Sequence, residues 1–328
     1  MSDTRHGEPA ALDPAGTPGE TVSELDAARD AFREELLASG LLVDAGQPGL
    51  YGRSGELEDV VDGVSRYVQS RFADLRPSRR RFAPVISRAE FEKTEYIVSF
   101  PQLTGAVHGF TGTDAEHKRL VSTRAQGLPW DSFLSPAETM LVPAVCHPLF
   151  ERLRGTTNPE GQIFDLEGFC FRHEPSRDPM RLQAFRQHEL VFVGPGSLAY
   201  DFRTEMNERQ LRDLRELGLD ARVVPANDPF FGRTGRFLAR NQLEDEAKLE
   251  VVVPIYGDLD DGTAIASANR HGDHFGATFG IEAGVGEAAH STCLGWGLER
   301  TALALIRTHG TDTSAWPEST RRLLSLSS

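Results

Sequence analysis

Cysteine, basic residues and long apolar runs are scarce in this chain of 328 residues. The three cysteines, Cys146, Cys170 and Cys293, are odd in number and far apart, which argues against a secreted disulfide framework. Lysine and arginine total 35 against 49 acidic residues, and the resulting formal charge of -14 disfavours nucleic acid as a partner. No stretch approaches the roughly twenty apolar residues of a membrane span, and the N-terminus lacks a signal-peptide core. We therefore expect a cytoplasmic protein.

The order of the sequence patterns predicts an α+β fold. Residues 1 to 20 are rich in Gly, Pro, Ala and acidic residues, which is typical of a disordered tail. One amphipathic helix is expected between the N-cap Ser23 and Gly40, and another after the segment GLYGRSG. Beyond the basic connector RPSRRR come short apolar strands, with helices near residues 205 to 217, 233 to 247 and 294 to 308. We therefore expect residues 21 to 328 to form one domain with an antiparallel sheet and N-terminal helices.

The most informative segment is GFCFRHEPSRDPMRLQAFRQHELVFVG, residues 168 to 194, which reads as a strand, an exposed loop and a returning strand. Because strand side chains alternate, Arg172 and Glu174 are expected on one face, where they suit a phosphate and an adenine amine. The returning strand places Phe185, Gln187 and Glu189 on one face. A surface hairpin with a salt bridge is the alternative interpretation, since short patterns recur by chance.

This segment resembles motif 2 of the class II aminoacyl-tRNA synthetases, and CLGWGLERTALALI near the C-terminus resembles their motif 3. The resemblance implies that Arg172 holds the α-phosphate of ATP, Glu174 contacts adenine and Phe185 stacks on the ring. It makes Arg300 a second ATP-binding arginine, so Arg172 and Arg300 are the expected catalytic residues. Upstream, FAPVISRAEFEKTEYIVSFPQLTGAVHGF resembles a degenerate motif 1 region, which implies a homodimer.

Further ATP contacts follow from the same resemblance. The segment TAIASAN, residues 263 to 269, corresponds to a strand that forms a wall beside ATP. The acidic residue that helps to hold magnesium in seryl-tRNA synthetases is replaced here by Thr263, which leaves the number of Mg2+ ions open. The remaining ATP-binding residues implied are Arg181, Leu182, Ala264, Ile265, Ala266 and Ser267.

Two of the cysteines gain a role from the resemblance. MLVPAVCHPL resembles a strand that carries a zinc-binding cysteine in related synthetases, and Cys146 occupies that place. With Glu189 and Cys293 it would form a zinc site whose open position takes the substrate. Plain burial of the cysteines is the alternative, and we expect Cys170 to pack in the core. His147 should point away on its strand, whereas His290 is a candidate partner of a metal ligand; a structural role is the alternative for both.

The pattern is most similar to the amino acid:carrier protein ligases, relatives of atypical zinc-dependent seryl-tRNA synthetases, over about residues 45 to 310. No tRNA-binding arm or domain is recognisable, so tRNA is an improbable partner. Arg233, Arg236 and Arg240 would lie on one helix face and could dock an acidic carrier protein, although a solvated helix is equally compatible. Asp228 is a candidate contact for the substrate amine, or else a turn-forming residue.

The resemblance implies that a small amino acid, glycine or alanine, is activated with ATP and Mg2+ as an adenylate. The aminoacyl group would then pass to the phosphopantetheine thiol of a carrier protein. Two alternatives are a tRNA-charging enzyme and a catalytically silent regulatory subunit. The joint presence of Arg172, Glu174 and Arg300 argues against a silent copy, which is free to lose them.

Overall fold

A computed structural model describes residues 23 to 156, 159 to 231 and 246 to 326. The helices of the described residues are α1 Glu24–Ala38, α2 Gly55–Arg71, α3 Arg88–Lys93, α4 Tyr96–Ser99, α5 Asp114–Ala125, α6 His147–Phe150, α7 Gly196–Glu216, α8 His274–Phe279, α9 Leu298–His309 and α10 Glu318–Leu324. The strands are β1 Leu42–Gln47, β2 Leu50–Arg53, β3 Ser78–Arg80, β4 Val85–Ser87, β5 Ala106–Gly109, β6 Ser135–Leu141, β7 Gly155–Thr156, β8 Gln162–Phe171, β9 Ala184–Gly194, β10 Arg222–Pro225, β11 Lys248–Val253, β12 Thr263–Gly272, β13 Ile281–Gly284, β14 Glu287–Ala288 and β15 His290–Gly297.

The main sheet has seven strands in the order β10-β11-β12-β15-β9-β8-β3. Neighbouring strands are antiparallel from β10 to β8, which confirms the predicted antiparallel sheet. The edge strand β3 is an exception because it pairs with β8 in parallel. Smaller sheets are formed by β4-β6-β5, by β14-β13-β7 and by β1-β2. The fold is therefore α+β, as expected.

The two faces of the main sheet are covered by different parts of the chain. Alternation along β9 places Leu190 in a core with α1, α2 and α9, whereas Val191 belongs to a second core formed with residues 86 to 150 and with α8. Trp296 is 1% exposed and packs against Phe72 at a ring-centroid distance of 5.3 Å. The second core covers the face that carries the candidate site.

Most of the predicted helices are present, with changed bounds. The side chain of Ser23 accepts a hydrogen bond from the backbone of Asp26, which confirms the N-cap of α1. The helix expected from residue 205 begins earlier, at Gly196. The prediction that a helix covers residues 294 to 297 is wrong, because these residues complete β15 between β9 and β12. The expected helix at 233 to 247 falls almost wholly on residues 232 to 245, outside the described residues.

Within the described residues, no helix has the length and apolar character needed to cross a membrane. The expected tail, residues 1 to 20, also lies outside the part that the structure describes. Cytoplasmic location, a single catalytic domain over residues 21 to 328 and the lack of a tRNA-binding part stay predictions.

Candidate active site

The hairpin of β8 and β9 brings Arg172 and Phe185 together. In the hairpin Cys170 lies opposite Phe185, and the backbone N–H of Arg172 donates to Gln183 at 2.9 Å. The guanidinium of Arg172 lies 5.5 Å from the centre of the Phe185 ring, and its Nε donates to the carbonyl of Pro143 at 3.1 Å. A cation and an aromatic ring are thus held side by side at the loop end of the hairpin.

Glu174 does not share a strand face with Arg172, contrary to the prediction. The strand β8 ends at Phe171, and the backbone N–H of Glu174 donates to the carbonyl of Arg172 at 2.8 Å, which closes a tight turn. The next N–H that would face β9 is that of Glu174, and it is used in this turn, while the N–H of His173 points to the opposite edge and donates to Leu103. The chain therefore leaves the sheet here, and strand alternation no longer applies.

Three arginines converge near the start of α9. Nε of Arg300 donates to Met180 at 2.6 Å, and its Nη1 donates to the carbonyl of Ala264 at 3.2 Å. Burial, together with the charges of Arg181 and Arg172, lowers the pKa of Arg300 below its usual value. Such a cluster of like charges is relieved by an anion, and polyphosphate is the anion that several arginines suit best.

The predicted wall beside ATP is part of β12. Its Ile265 and Ala266 are buried, as is Leu182 in the loop before β9, whereas Ala264 is half-buried. Ser267 is half-buried in β12, and a Cβ placed on Gly295 of the neighbouring strand would lie 3.6 Å from its Oγ.

Cys146, Glu189 and Cys293 come together, as the sequence led us to expect. One ligand atom from each lies within 4.8 Å of the other two, and each residue is 3% exposed. Glu189 and Cys293 project from the adjacent strands β9 and β15. Cys146, however, does not lie in a strand, because it follows β6 in a turn at the start of α6. The set therefore joins two central strands to a turn that folds over them.

The electrostatics of this set fit a divalent cation. Burial, followed by the neighbouring Cys293, raises the pKa of Glu189 to about 8. The hydrogen bond between the two thiols raises the pKa of Cys146 and lowers that of Cys293. Among the described residues, Oε2 of Glu189 is buried without a hydrogen-bond partner. Two thiolates and a carboxylate can all be ionised only beside a cation, and this is a donor set that Zn2+ accepts.

Of the two histidines considered from the sequence, His147 has the structural role that was left open, and His290 does not reach the metal-ligand set. His147 is buried against Tyr96 and Phe275, and burial lowers its pKa to about 3, so it is a neutral core residue. The suggestion of His290 as partner of a ligand is wrong, because its ring packs beside Gly196 on the other face of β15 from Cys293. His271 lies next to Cys293 instead, with Nε2 at 3.6 Å from Sγ.

Asp228 is held by a lysine that the sequence analysis did not include. Nζ of Lys248 lies 2.6 Å from Oδ1 of Asp228 and 2.9 Å from Oε1 of Glu250. Glu250 pairs with Ser267 in the register of β11 and β12, and its charge acts on Arg300. The alternation of Lys248 and Glu250 in KLEVVV is the signal that could have identified an acidic group beside the arginines. The expected docking residues Arg233, Arg236 and Arg240 lie outside the described residues.

Comparison with known sequences finds close relatives. The chain is 41% identical over 292 residues to amino acid–acyl-carrier-protein ligase 2 of Bradyrhizobium diazoefficiens, covering 88% of this chain and 87% of that protein. It is 40% identical to ligase 1 of the same organism, covering 88% and 89%. The type-2 serine–tRNA ligase of Methanopyrus kandleri is 30% identical over 192 residues, which are 55% of this chain and 36% of that enzyme. No protein-family profile matches the sequence.

Solved structures share the fold. The seryl-tRNA synthetase of M. kandleri, solved with A. aeolicus tRNASec, superposes with a TM-score of 0.76 and 21% identity, over 96% of this chain and 62% of that one. The cytoplasmic serine–tRNA ligase of Naegleria fowleri, solved with AMP, gives a TM-score of 0.67 and 14% identity, over 90% and 59%. The fold is thus that of a class II aminoacyl-tRNA synthetase, and the identity shared with the two Bradyrhizobium proteins over most of their length shows that this chain is an enzyme of the amino acid–acyl-carrier-protein ligase family.

Proposed function

We propose that the enzyme activates a small amino acid, glycine or alanine, with ATP and transfers it to the phosphopantetheine thiol of a carrier protein. The observation that supports this most is the position of the Cys146, Glu189 and Cys293 set beside the arginines. The charge of Arg172 acts on Glu189 from within the same site. A group that binds an amine and a group that binds phosphate are therefore close enough to serve one substrate pair.

In the first step, a carboxylate oxygen of the amino acid attacks the α-phosphorus of ATP, and the bond to the β-phosphate breaks as pyrophosphate leaves with Mg2+. Arg172 and Arg300 stabilise the charge that develops on the phosphate oxygens. Phe185 stacks on adenine, and Glu174 contacts its amine. The carrier thiolate then attacks the carbonyl carbon of the adenylate, and AMP leaves.

The substrate is held at its amino end by the three-ligand set. Cys146, Glu189 and Cys293 would hold Zn2+, which, when bound, supplies a Lewis-acidic position for the α-amino group. We keep Asp228, beside Lys248, as a further contact for that amine. A crowded metal site leaves room only for a small side chain, and this is the reason for proposing glycine or alanine.

Amino-acid-dependent exchange of pyrophosphate into ATP tests the activation step. We expect exchange with glycine or alanine and its loss in Arg172→Ala; a lack of exchange with any amino acid would refute the proposal. Metal analysis of Cys146→Ser and Cys293→Ser should show lost zinc. Cys170→Ser is the matched control, since Cys170 is equally buried but donates to Gln187 outside the set, at 3.0 Å.

The carrier step has its own test. Arg233→Glu with Arg236→Glu should abolish loading of a phosphopantetheinylated carrier while exchange continues, because the charge that attracts an acidic carrier is reversed. Arg212→Glu with Arg322→Glu changes the same charge at exposed positions elsewhere. Equal loading by both double variants would reject this docking site. Formation of aminoacyl-tRNA would instead favour the tRNA-charging alternative, and the molar mass in solution tests the proposed homodimer.

A further inference from the structure

The sulfur of Cys293 is flanked by two side chains of the neighbouring strand β12. Nδ2 of Asn269 lies 3.5 Å from Sγ, and Nε2 of His271 lies 3.6 Å from it. Both distances are within the range of hydrogen bonds to sulfur. Cys293 therefore differs from Glu189, whose Oε2 has no hydrogen-bond partner among the described residues.

The sheet explains why both side chains reach the same sulfur. Asn269 is paired with Cys293 in the register of β12 and β15, and His271 follows two residues later on the same face. Oγ of Ser291, also on β15, lies 3.0 Å from Nδ1 of His271. If the hydroxyl donates to Nδ1, the proton of the neutral ring is on Nε2, directed at Sγ.

The imidazole is also fixed by packing. Its ring meets Phe275 edge-on at 5.0 Å and Phe150 at 6.3 Å. Asn269 is held as well, because its Nδ2 lies 3.2 Å from Oγ of Ser267. Neither donor can turn away from the sulfur without losing a second contact, so the two N–H groups are placed in advance.

We propose that His271 and Asn269 are positioning residues that orient the Cys293 thiolate as the preorganised ligand of the metal, through N–H···S hydrogen bonds. The inference rests on the metal site of the proposed function. Outer hydrogen bonds of this kind set the direction and basicity of a ligand, and their loss weakens metal binding by about 10- to 100-fold. His271 does not belong to the group of ligand atoms that lie within 4.8 Å of one another.

The test measures metal binding directly on the full chain. Zinc affinity by chelator competition and the sulfur-to-cobalt charge-transfer band of the Co2+ form are compared for the wild type, His271→Ala, His271→Gln and Asn269→Ala. We expect about 10- to 100-fold weaker zinc binding in His271→Ala, a shifted band and an unchanged stoichiometry. His271→Gln should recover most of the affinity, because its amide can still donate to the sulfur.

Three outcomes would overturn the inference. If His271→Ala and Asn269→Ala bind zinc with the wild-type affinity and show the wild-type cobalt band, neither residue positions the thiolate, although the metal site itself stands. Loss of metal as complete as in Cys293→Ser would make His271 a direct ligand. A wild-type protein that binds neither zinc nor cobalt would refute the metal site of the proposed function itself. Asn269→Ala keeps the inference testable should His271→Ala fail to fold.

Discussion

Glu299 offers a demanding test of how the two ATP-binding motifs are joined. Its carboxylate is 1% exposed and accepts two hydrogen bonds from Arg186, from the backbone N–H at 2.7 Å and from Nε at 2.9 Å. Arg53 lies further away, at 3.8 Å. Arg186 follows Phe185 in β9, and Glu299 precedes Arg300 in α9, so this pair fixes the relative positions of both ATP contacts.

Replacing Glu299 by glutamine removes the charge but keeps the shape. Breaking a buried ion pair costs about 3 to 5 kcal/mol, because the remaining charge is left without its partner. In this variant Arg186 would still be paired with Glu58, whose carboxylate lies 2.8 Å away. We therefore expect a loss of stability at the lower end of this range, about 3 kcal/mol. At roughly 2 °C per kcal/mol for a large domain, the melting temperature should fall by about 6 °C.

Thermal unfolding and pyrophosphate exchange measure the two consequences. The matched control is Glu58→Gln, which removes a carboxylate from the same arginine at a side chain that is 34% exposed, where about 0 to 1 kcal/mol is expected. Glu299→Gln should also raise the KM for ATP, because Phe185 and Arg300 lose their common support. If the two variants unfold at the same temperature, the reasoning from burial is refuted.

Three further predictions concern stability and are all measurable by urea unfolding. Ser54→Ala should cost about 1 kcal/mol, because the hydroxyl of Ser54 caps α2. Gly276→Ala should cost about 1 to 3 kcal/mol, because its Cβ would lie 2.0 Å from the carbonyl oxygen of Ala289, whereas Gly109→Ala meets open space and should be nearly neutral. Burial alone would raise the pKa of Asp165, but His188 and Arg81 outweigh it and hold the pKa below its usual value. As the pH falls, Asp165 is therefore protonated in the unfolded state before it is protonated in the folded state. The stability that its ionised carboxylate contributes is present above about pH 4 and is lost as the pH falls further. Asp165→Asn should be less stable than the wild type at neutral pH, and its stability should depend less on acid.

Local patterns predicted the parts of this molecule that depend on neighbours in sequence. The N-cap at Ser23 and the hairpin that joins Arg172 to Phe185 follow from residues a few positions apart. The resemblance added Cys146, Glu189 and Cys293, which the structure brings together.

The features that escaped prediction depend on contacts between distant segments. His271 reaches Cys293 only because β12 pairs with β15 in one register, and no local signal sets that register. Cys146 was assigned to a strand because MLVPAVCHPL resembles a strand of related synthetases, yet β6 ends at Leu141. Glu174 was expected to continue the alternation of β8, but its backbone N–H donates back to Arg172 instead of extending the pairing with β9.

The place of β15 in the main sheet has a consequence for how the chain is made. It is the last strand in sequence, yet it lies fourth in the order of seven, between β12 and β9. During synthesis β9 is complete at Gly194, long before β15 begins at His290, whereas β12 ends at Gly272, shortly before it. The centre of the sheet, and with it the sulfur of Cys293, can be completed only when nearly the whole polypeptide has emerged. A nascent chain halted before His290 would lack the strand that joins its two halves.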